Sequence, residues 1–122
     1  MIQVYQQKLM DHYRNPRHQG HIENPTFSAR VDNPLCGDSL EITGIVTNAI
    51  VTHIGFQGTG CVISQGAASL LLQHVISKSV VDIQAITVDE LVGLLGIQLG
   101  PVRLKCAILA LQAVHMGIST ST

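Results

Sequence analysis

Phe27 to Thr59 reads FSARVDNPLCGDSLEITGIVTNAIVTHIGFQGT. Phe27, Ala29 and Val31 alternate with Ser28, Arg30 and Asp32; Leu40, Ile42 and Val46 lie on one side of a second run, and Ile50, Ile54 and Phe56 on one side of a third. A period of two is the mark of a half-buried strand, because successive side chains leave opposite faces of the sheet. Thr47-Asn48 is short enough to close a hairpin, which makes the second and third strands antiparallel. Between the first two strands, Asn33-Pro34-Leu35-Cys36-Gly37-Asp38 forms a glycine-containing loop with Cys36 at its tip.

The flanks read as helices. Upstream, Ile2, Tyr5, Leu9 and Tyr13 recur at helical spacing, and Asn15-Pro16 ends the pattern, so a helix is predicted over residues 2 to 14. RHQGHIENP, which follows, has no period and reads as a connecting loop. Downstream, Gly58-Thr59-Gly60 ends the sheet, and the apolar stretch from Cys61 to Ile76 predicts a helix with Cys61 in its first turn. Thr87 with Glu90 three residues later is a capping-box pattern, so a short helix carrying Leu91, Leu94 and Leu95 should stop near Gly96. A last helix begins at Pro101, is apolar on all sides, and gives way to an STST tail expected to fray. The whole chain, residues 1 to 122, is accounted for by one α+β domain, a three-stranded antiparallel sheet packed against helices.

Composition narrows the function. Of 122 residues, 46% are apolar and only 12% charged, about half the charged share of an ordinary soluble domain. Some apolar surface is therefore expected to meet a partner. Seven basic and eight acidic side chains give a formal charge of −1, and no Lys or Arg run could neutralise a series of phosphates, which argues against nucleic acid. The N-terminus lacks a basic leader before an apolar core, and Gln112 and His115 interrupt the longest late apolar stretch. The expectation is a soluble cytoplasmic protein with no membrane partner.

Cys36, Cys61 and Cys106 are too few and too widely spaced for a disulfide framework, and no C-x-x-C occurs. Reduced thiols are expected, and a metal site would have to be assembled from distant segments. At a helix N-terminus the Cys61 thiol meets unpaired backbone N–H groups and the positive end of the helix dipole, as suits a nucleophile or soft ligand. Taken alone, a lone cysteine reads first as a small buried hydrophobe, although Gly58 and Gly60 leave the backbone open to a bound group. Cys36-Gly37-Asp38 sets a thiol and a carboxylate two residues apart, able to turn toward one ion, or simply an Asx-type turn. Cys106 occupies an apolar position on an apolar helix. The histidines, His12, His18, His21, His53, His74 and His115, read as surface or partner-facing.

Taken together, PLCGDS at 34 to 39, GTGCVIS at 58 to 64 and RLKCAIL at 103 to 109 carry a resemblance that no single motif does. With DHYRNPRHQG at 11 to 20, they make the chain similar to the U-type iron-sulfur cluster assembly scaffolds, the group of IscU, the NifU N-terminal domain and SufU. The resemblance implies that Cys36, Asp38, Cys61 and Cys106 converge as ligands at one end of the fold. There the family receives sulfur from a cysteine desulfurase, combines it with iron into a [2Fe-2S] cluster, and passes the cluster to apo iron-sulfur acceptor proteins. Three thiolates suit iron or zinc, and one oxygen ligand, Asp38, should ease release.

Two features divide the branches of that family. IscU-type proteins carry a histidine ligand before the third cysteine, where this chain has Lys105; SufU-type proteins, zinc-dependent sulfur acceptors, carry lysine there. SufU-type proteins also carry about twenty extra residues between the second and third cysteines, for which the 45-residue spacing here leaves no room. Lys105 is either a solvated surface residue or an electrostatic support that favours thiolates, and Cys106 is a candidate persulfide acceptor. LGPVR at 99 to 103 departs from the Leu-Pro-Pro-Val-Lys segment that IscU proteins present to an Hsp70-type chaperone. The alternatives are a scaffold, a zinc-dependent sulfurtransferase, and a metal-free module that binds only the desulfurase. The oligomeric state is left open, a homo-oligomer included.

Overall fold

The computed structural model of the protein describes residues 2–34 and 37–120. Helix α1 spans Ile2–Arg14, followed by strands β1 (Phe27–Asn33), β2 (Asp38–Thr47) and β3 (Ile50–Thr59), then helices α2 (Val62–Val75), α3 (Val80–Gln84), α4 (Val88–Leu95) and α5 (Pro101–Ser119). The sheet is antiparallel in the order β1-β2-β3. α2 and α5 pack on it, α1 packs on α2, and α4 touches both α2 and α5. The core lies between: Leu40, Ile42, Ile54 and Phe56 from the sheet meet Leu71, Leu72, Leu109 and Val114 from the helices.

Close approach of α5 to the sheet depends on a bare α-carbon. A Cβ at Gly117 would sit 2.8 Å from Phe27 Cδ2, so glycine there lets the helix settle on the buried ring that opens β1. By length and composition α5 is apolar enough to cross a membrane, with a mean hydropathy of 1.2, and half of that stretch is buried in the core. Its apolar residues on all sides are explained by neighbours on several sides: β1, β2, α2, α3 and α4.

The third strand departs from simple alternation. Ile45 pairs with His53 but Val46 with Val51, so Thr52 is an extra residue in β3. The bulge changes the parity of the strand: Val51, not Ile50, is fully buried together with Ile54 and Phe56. The reversal occupies Asn48 and Ala49, both at positive φ (52° and 65°), one residue beyond the expected turn, as a two-residue hairpin with the sheet's own twist requires. The free edge of β3 is covered by two loops. Gly20 N–H donates to Phe56 O (2.8 Å) and Phe56 N–H to His18 O (2.9 Å), while Ser77 N–H donates to Val51 O (2.8 Å). An edge capped in this way is a poor template for another strand.

Helix signals fare well where the chemistry is local. Thr87 Oγ1 accepts from Glu90 N–H at 3.1 Å, and Gly96 closes α4 in the left-handed conformation. Pro101 is the first residue of α5. The short α3 lies outside the helices that the sequence predicts, although Ser79 caps it through Asp82 N–H (3.1 Å) by the same chemistry. Tyr13 is exposed, whereas Leu9 is in the core. Ser119 is still helical and Thr120 closes α5, so the tail is ordered to that point; Ser121 and Thr122 lie outside the described residues. His12 is a correction to the surface reading of the histidines: it is 3% exposed, with Nδ1 hydrogen-bonded to Ser69 Oγ at 2.8 Å. Burial, reinforced by the nearby Arg17 charge, lowers its pKa from the ordinary 6.5.

Candidate metal centre

Three segments far apart in sequence end at one corner of the molecule. Asp38 is the first residue of β2, Cys61 is the N-cap of α2, and Cys106 lies in the second turn of α5. A carboxylate oxygen of Asp38 and the sulfurs of Cys61 and Cys106 all lie within 4.8 Å of one another. No other set of three metal-ligating side chains converges so closely among the described residues. Asp38 and Cys106 are buried, at 2% and 4% exposure, while Cys61 is exposed. The corner is thus walled on two sides and open at the third.

Hydrogen bonds fix the carboxylate. Asp38 Oδ1 accepts from the Cys61 backbone N–H at 3.0 Å, which satisfies one of the unpaired donors at the start of α2 and gives the buried oxygen a partner. Oδ2 is left facing the thiol, 3.7 Å from Cys61 Sγ. Cys61 has an extended backbone (φ −79°, ψ 172°), and its own side chain caps nothing. It therefore precedes the first turn rather than lying within it as the sequence suggests, and the sulfur is not used to cap the helix. The Cys106 thiol donates to Val102 O, one turn back, at 3.5 Å.

Gly60 makes the approach possible. A Cβ there would stand 2.5 Å from Ser64 Oγ and 2.9 Å from Asp38 Cγ, so any other residue would push the carboxylate or the hydroxyl aside. Ser64, fully buried, is a member of the site that the sequence did not single out, although it stands in GTGCVIS three residues after the cysteine. Its hydroxyl donates to Cys61 O at 3.2 Å and lies 3.9 Å from Cys61 Sγ.

Cys36 lies outside the described residues; its chain neighbour Gly37 has φ 70°. Lys105 is exposed and lines a cleft of about 340 Å3 together with Asp32, Asn33, Pro34 and Gln112. One residue along an α-helix turns the side chain by about 100°, so Lys105 faces the wall between α5 and the end of β1 while Cys106 faces Asp38 and Cys61. In the LGPVR segment, Leu99 packs against the core and Val102 is exposed. Arg103 borders a separate groove with Ile63, Val92 and Ile97.

Two sulfurs and one carboxylate oxygen make a mixed soft and hard donor set, one that zinc and iron both accept. Residues 4–121 match the NifU-like N-terminal domain family. The chain belongs to that family. It is 34% identical, over 95% of its length and 92% of the relative, to the iron-sulfur cluster assembly scaffold protein IscU of Buchnera aphidicola subsp. Schizaphis graminum. It is 32% identical, over 95% of its length and 90% of the relative, to the zinc-dependent sulfurtransferase SufU of Bacillus subtilis.

The SufU alignment runs over 133 positions against a chain of 122 residues, so that relative carries at least 11 residues with no counterpart here. The IscU alignment runs over 120 positions. In length, the chain follows IscU. Two solved structures share the fold: a putative iron-sulfur cluster assembly scaffold protein for the SUF system from Fervidobacterium islandicum AW-1 (TM-score 0.80, 19% identity, 95% of this chain and 97% of that one), and the N-terminal part of a nitrogen-fixing NifU-like protein from Brucella abortus (TM-score 0.80, 18% identity, 97% and 94%).

Proposed function

We propose that this protein, one domain in the cytoplasm, is a scaffold for iron-sulfur cluster assembly. It takes sulfur from a cysteine desulfurase, holds iron and a transient [2Fe-2S] cluster, and delivers the cluster to apo acceptor proteins. The observation that carries this function is the convergence of Asp38, Cys61 and Cys106 from three segments. Cys36, two residues before Asp38, completes the ligand set. Iron and sulfide are cargo here. Cys61, exposed at the rim, is the thiol that incoming cargo meets first, and Cys106 supplies a buried anchor. Asp38 keeps Oδ1 on the Cys61 N–H and offers Oδ2 alone. A single carboxylate oxygen among thiolates is the weakest position in the set, as a site that must release its cargo requires.

Metal and acid-labile sulfide analysis of anaerobically prepared protein, beside its visible spectrum, tests the function. Iron with equimolar sulfide and visible charge-transfer bands is the expected result; zinc without sulfide contradicts it.

The second function, a zinc-dependent sulfurtransferase, is favoured by one residue, Lys105. There Cys106 or a neighbouring thiolate would attack the terminal sulfur of the desulfurase persulfide, forming a new S–S bond as the donor's thiolate leaves. Lys105→His separates the two. In a scaffold the added imidazole lengthens the lifetime of a reconstituted cluster. In a sulfurtransferase it cuts desulfurase stimulation and yields no cluster spectrum. Delivery through an Hsp70-type chaperone is the least supported partnership, because Gly100 and Arg103 stand in the segment that would be presented.

A further inference from the structure

We infer that Ser64 is a positioning residue for the metal-bound state, its hydroxyl donating a hydrogen bond to the Cys61 sulfur once that sulfur is a ligand; this rests on the proposal that Cys61 binds metal. The Cys61 thiol faces two acceptors, Asp38 Oδ2 at 3.7 Å and Ser64 Oγ at 3.9 Å. A thiolate ligand has no proton to donate and can only accept. A carboxylate oxygen can only accept as well, so the contact between Asp38 and the sulfur loses its hydrogen bond when the sulfur is a ligand. The contact with Ser64 does not, because a hydroxyl can reverse its role.

The surroundings of Ser64 permit the reversal at little cost. The hydroxyl proton now points to Cys61 O at 3.2 Å. That carbonyl also accepts from Gln65 N–H at 3.2 Å, so it keeps a partner when the hydroxyl turns away, and no buried group is stranded. Gln65 Nε2 donates to Ser64 Oγ at 3.4 Å and holds the oxygen in place whichever way its proton points. Burial of Ser64 excludes water as a competing partner. The bare α-carbon of Gly60 is what allows the oxygen to stand this near both Asp38 and Cys61. A hydrogen bond to a ligating sulfur lowers its donor strength, and so adjusts how firmly the metal is held and at what energy charge moves from sulfur to metal.

The test uses Co(II) as the probe, titrated anaerobically into the full chain and followed through the sulfur-to-cobalt charge-transfer band. Ser64→Ala should move that band to lower energy and change the Co(II) affinity by about tenfold, and Ser64→Thr, which restores the hydroxyl, should return the band toward its wild-type position. Circular dichroism of each variant confirms that the fold is retained. An unchanged band in Ser64→Ala, or an equal displacement in Ser64→Ala and Ser64→Thr, overturns the role of the hydroxyl while leaving the metal centre intact. Absence of any thiolate band in the wild-type protein overturns the metal centre itself.

Discussion

The two ends of α2 are held by different forces. From Ala67 to Val75 the helix is almost continuously buried, with Leu71 and Leu72 fully inside the core, and its attachment there is apolar packing. At the other end Cys61 is exposed, and the helix start is tied down by a carboxylate from β2 and by Ser64. Apolar burial of large side chains is worth several kcal/mol, whereas a single hydrogen bond contributes about 1 kcal/mol net. Under the proposed function, the helix keeps its place in the fold while its first residues adjust to an incoming metal. Firmness at one end and adaptability at the other are what a site that loads and unloads needs.

If this division holds, substitutions at the two ends should separate stability from metal binding. Leu71→Ala, at the apolar end, should lower unfolding free energy by about 2–5 kcal/mol, measured by urea denaturation, and leave the metal stoichiometry of the folded protein unchanged. A parallel loss of metal sites would mean that the two ends are coupled. Asp38→Ala should cost less in stability, about 0.5–2 kcal/mol, because it removes the acceptor of the Cys61 N–H at the start of α2. It should also slow cluster transfer to an apo-ferredoxin. Asp38→Asn keeps a carbonyl acceptor for that N–H but not the charge. It should recover most of the stability and none of the transfer rate, and recovery of both would deny Asp38 a role as ligand.

The smallest effect expected is on pH dependence, and it belongs to the packed side of the helix. His12 bonds to Ser69 in the middle of α2 and has a pKa below 6.5 because burial disfavours its charged form. Above that pH both folded and unfolded chains carry the neutral ring, and stability is unaffected. As pH falls through 6.5 the unfolded chain takes up the proton first. The urea midpoint should therefore decline from about pH 7 downward until the folded His12 also titrates, and His12→Gln should flatten that slope. A midpoint that rises on acidification would contradict the assignment.

Much of this architecture is legible from local signals. The Thr87 cap, the Gly96 stop and the Pro101 start depend on residues within one turn of each other, and the alternation in β1 and β2 depends on one face being buried. The bulge at Thr52 is different. It arises from pairing between β2 and β3, and nothing within Ile50–Thr59 alone marks where the parity changes. The burial of His12 is illegible for the same reason, since its partner Ser69 lies 57 residues away. The site divides along this line too. The motifs around Asp38, Cys61 and Cys106 name the candidate ligands, but the bond from Cys61 N–H to Asp38 and the place of Ser64 beside the sulfur come from how β2 and α2 meet.

The most direct measurement is the metal content and visible spectrum, after anaerobic reconstitution with iron and sulfide, of the wild-type protein and of Cys36→Ala, Cys61→Ala and Cys106→Ala. A single centre that draws on all four ligands predicts that each substitution lowers iron retention and weakens the charge-transfer bands, with circular dichroism unchanged. If all three variants hold iron and sulfide as the wild type does, the metal is bound elsewhere, and the corner formed by Asp38, Cys61 and Cys106 is not its site.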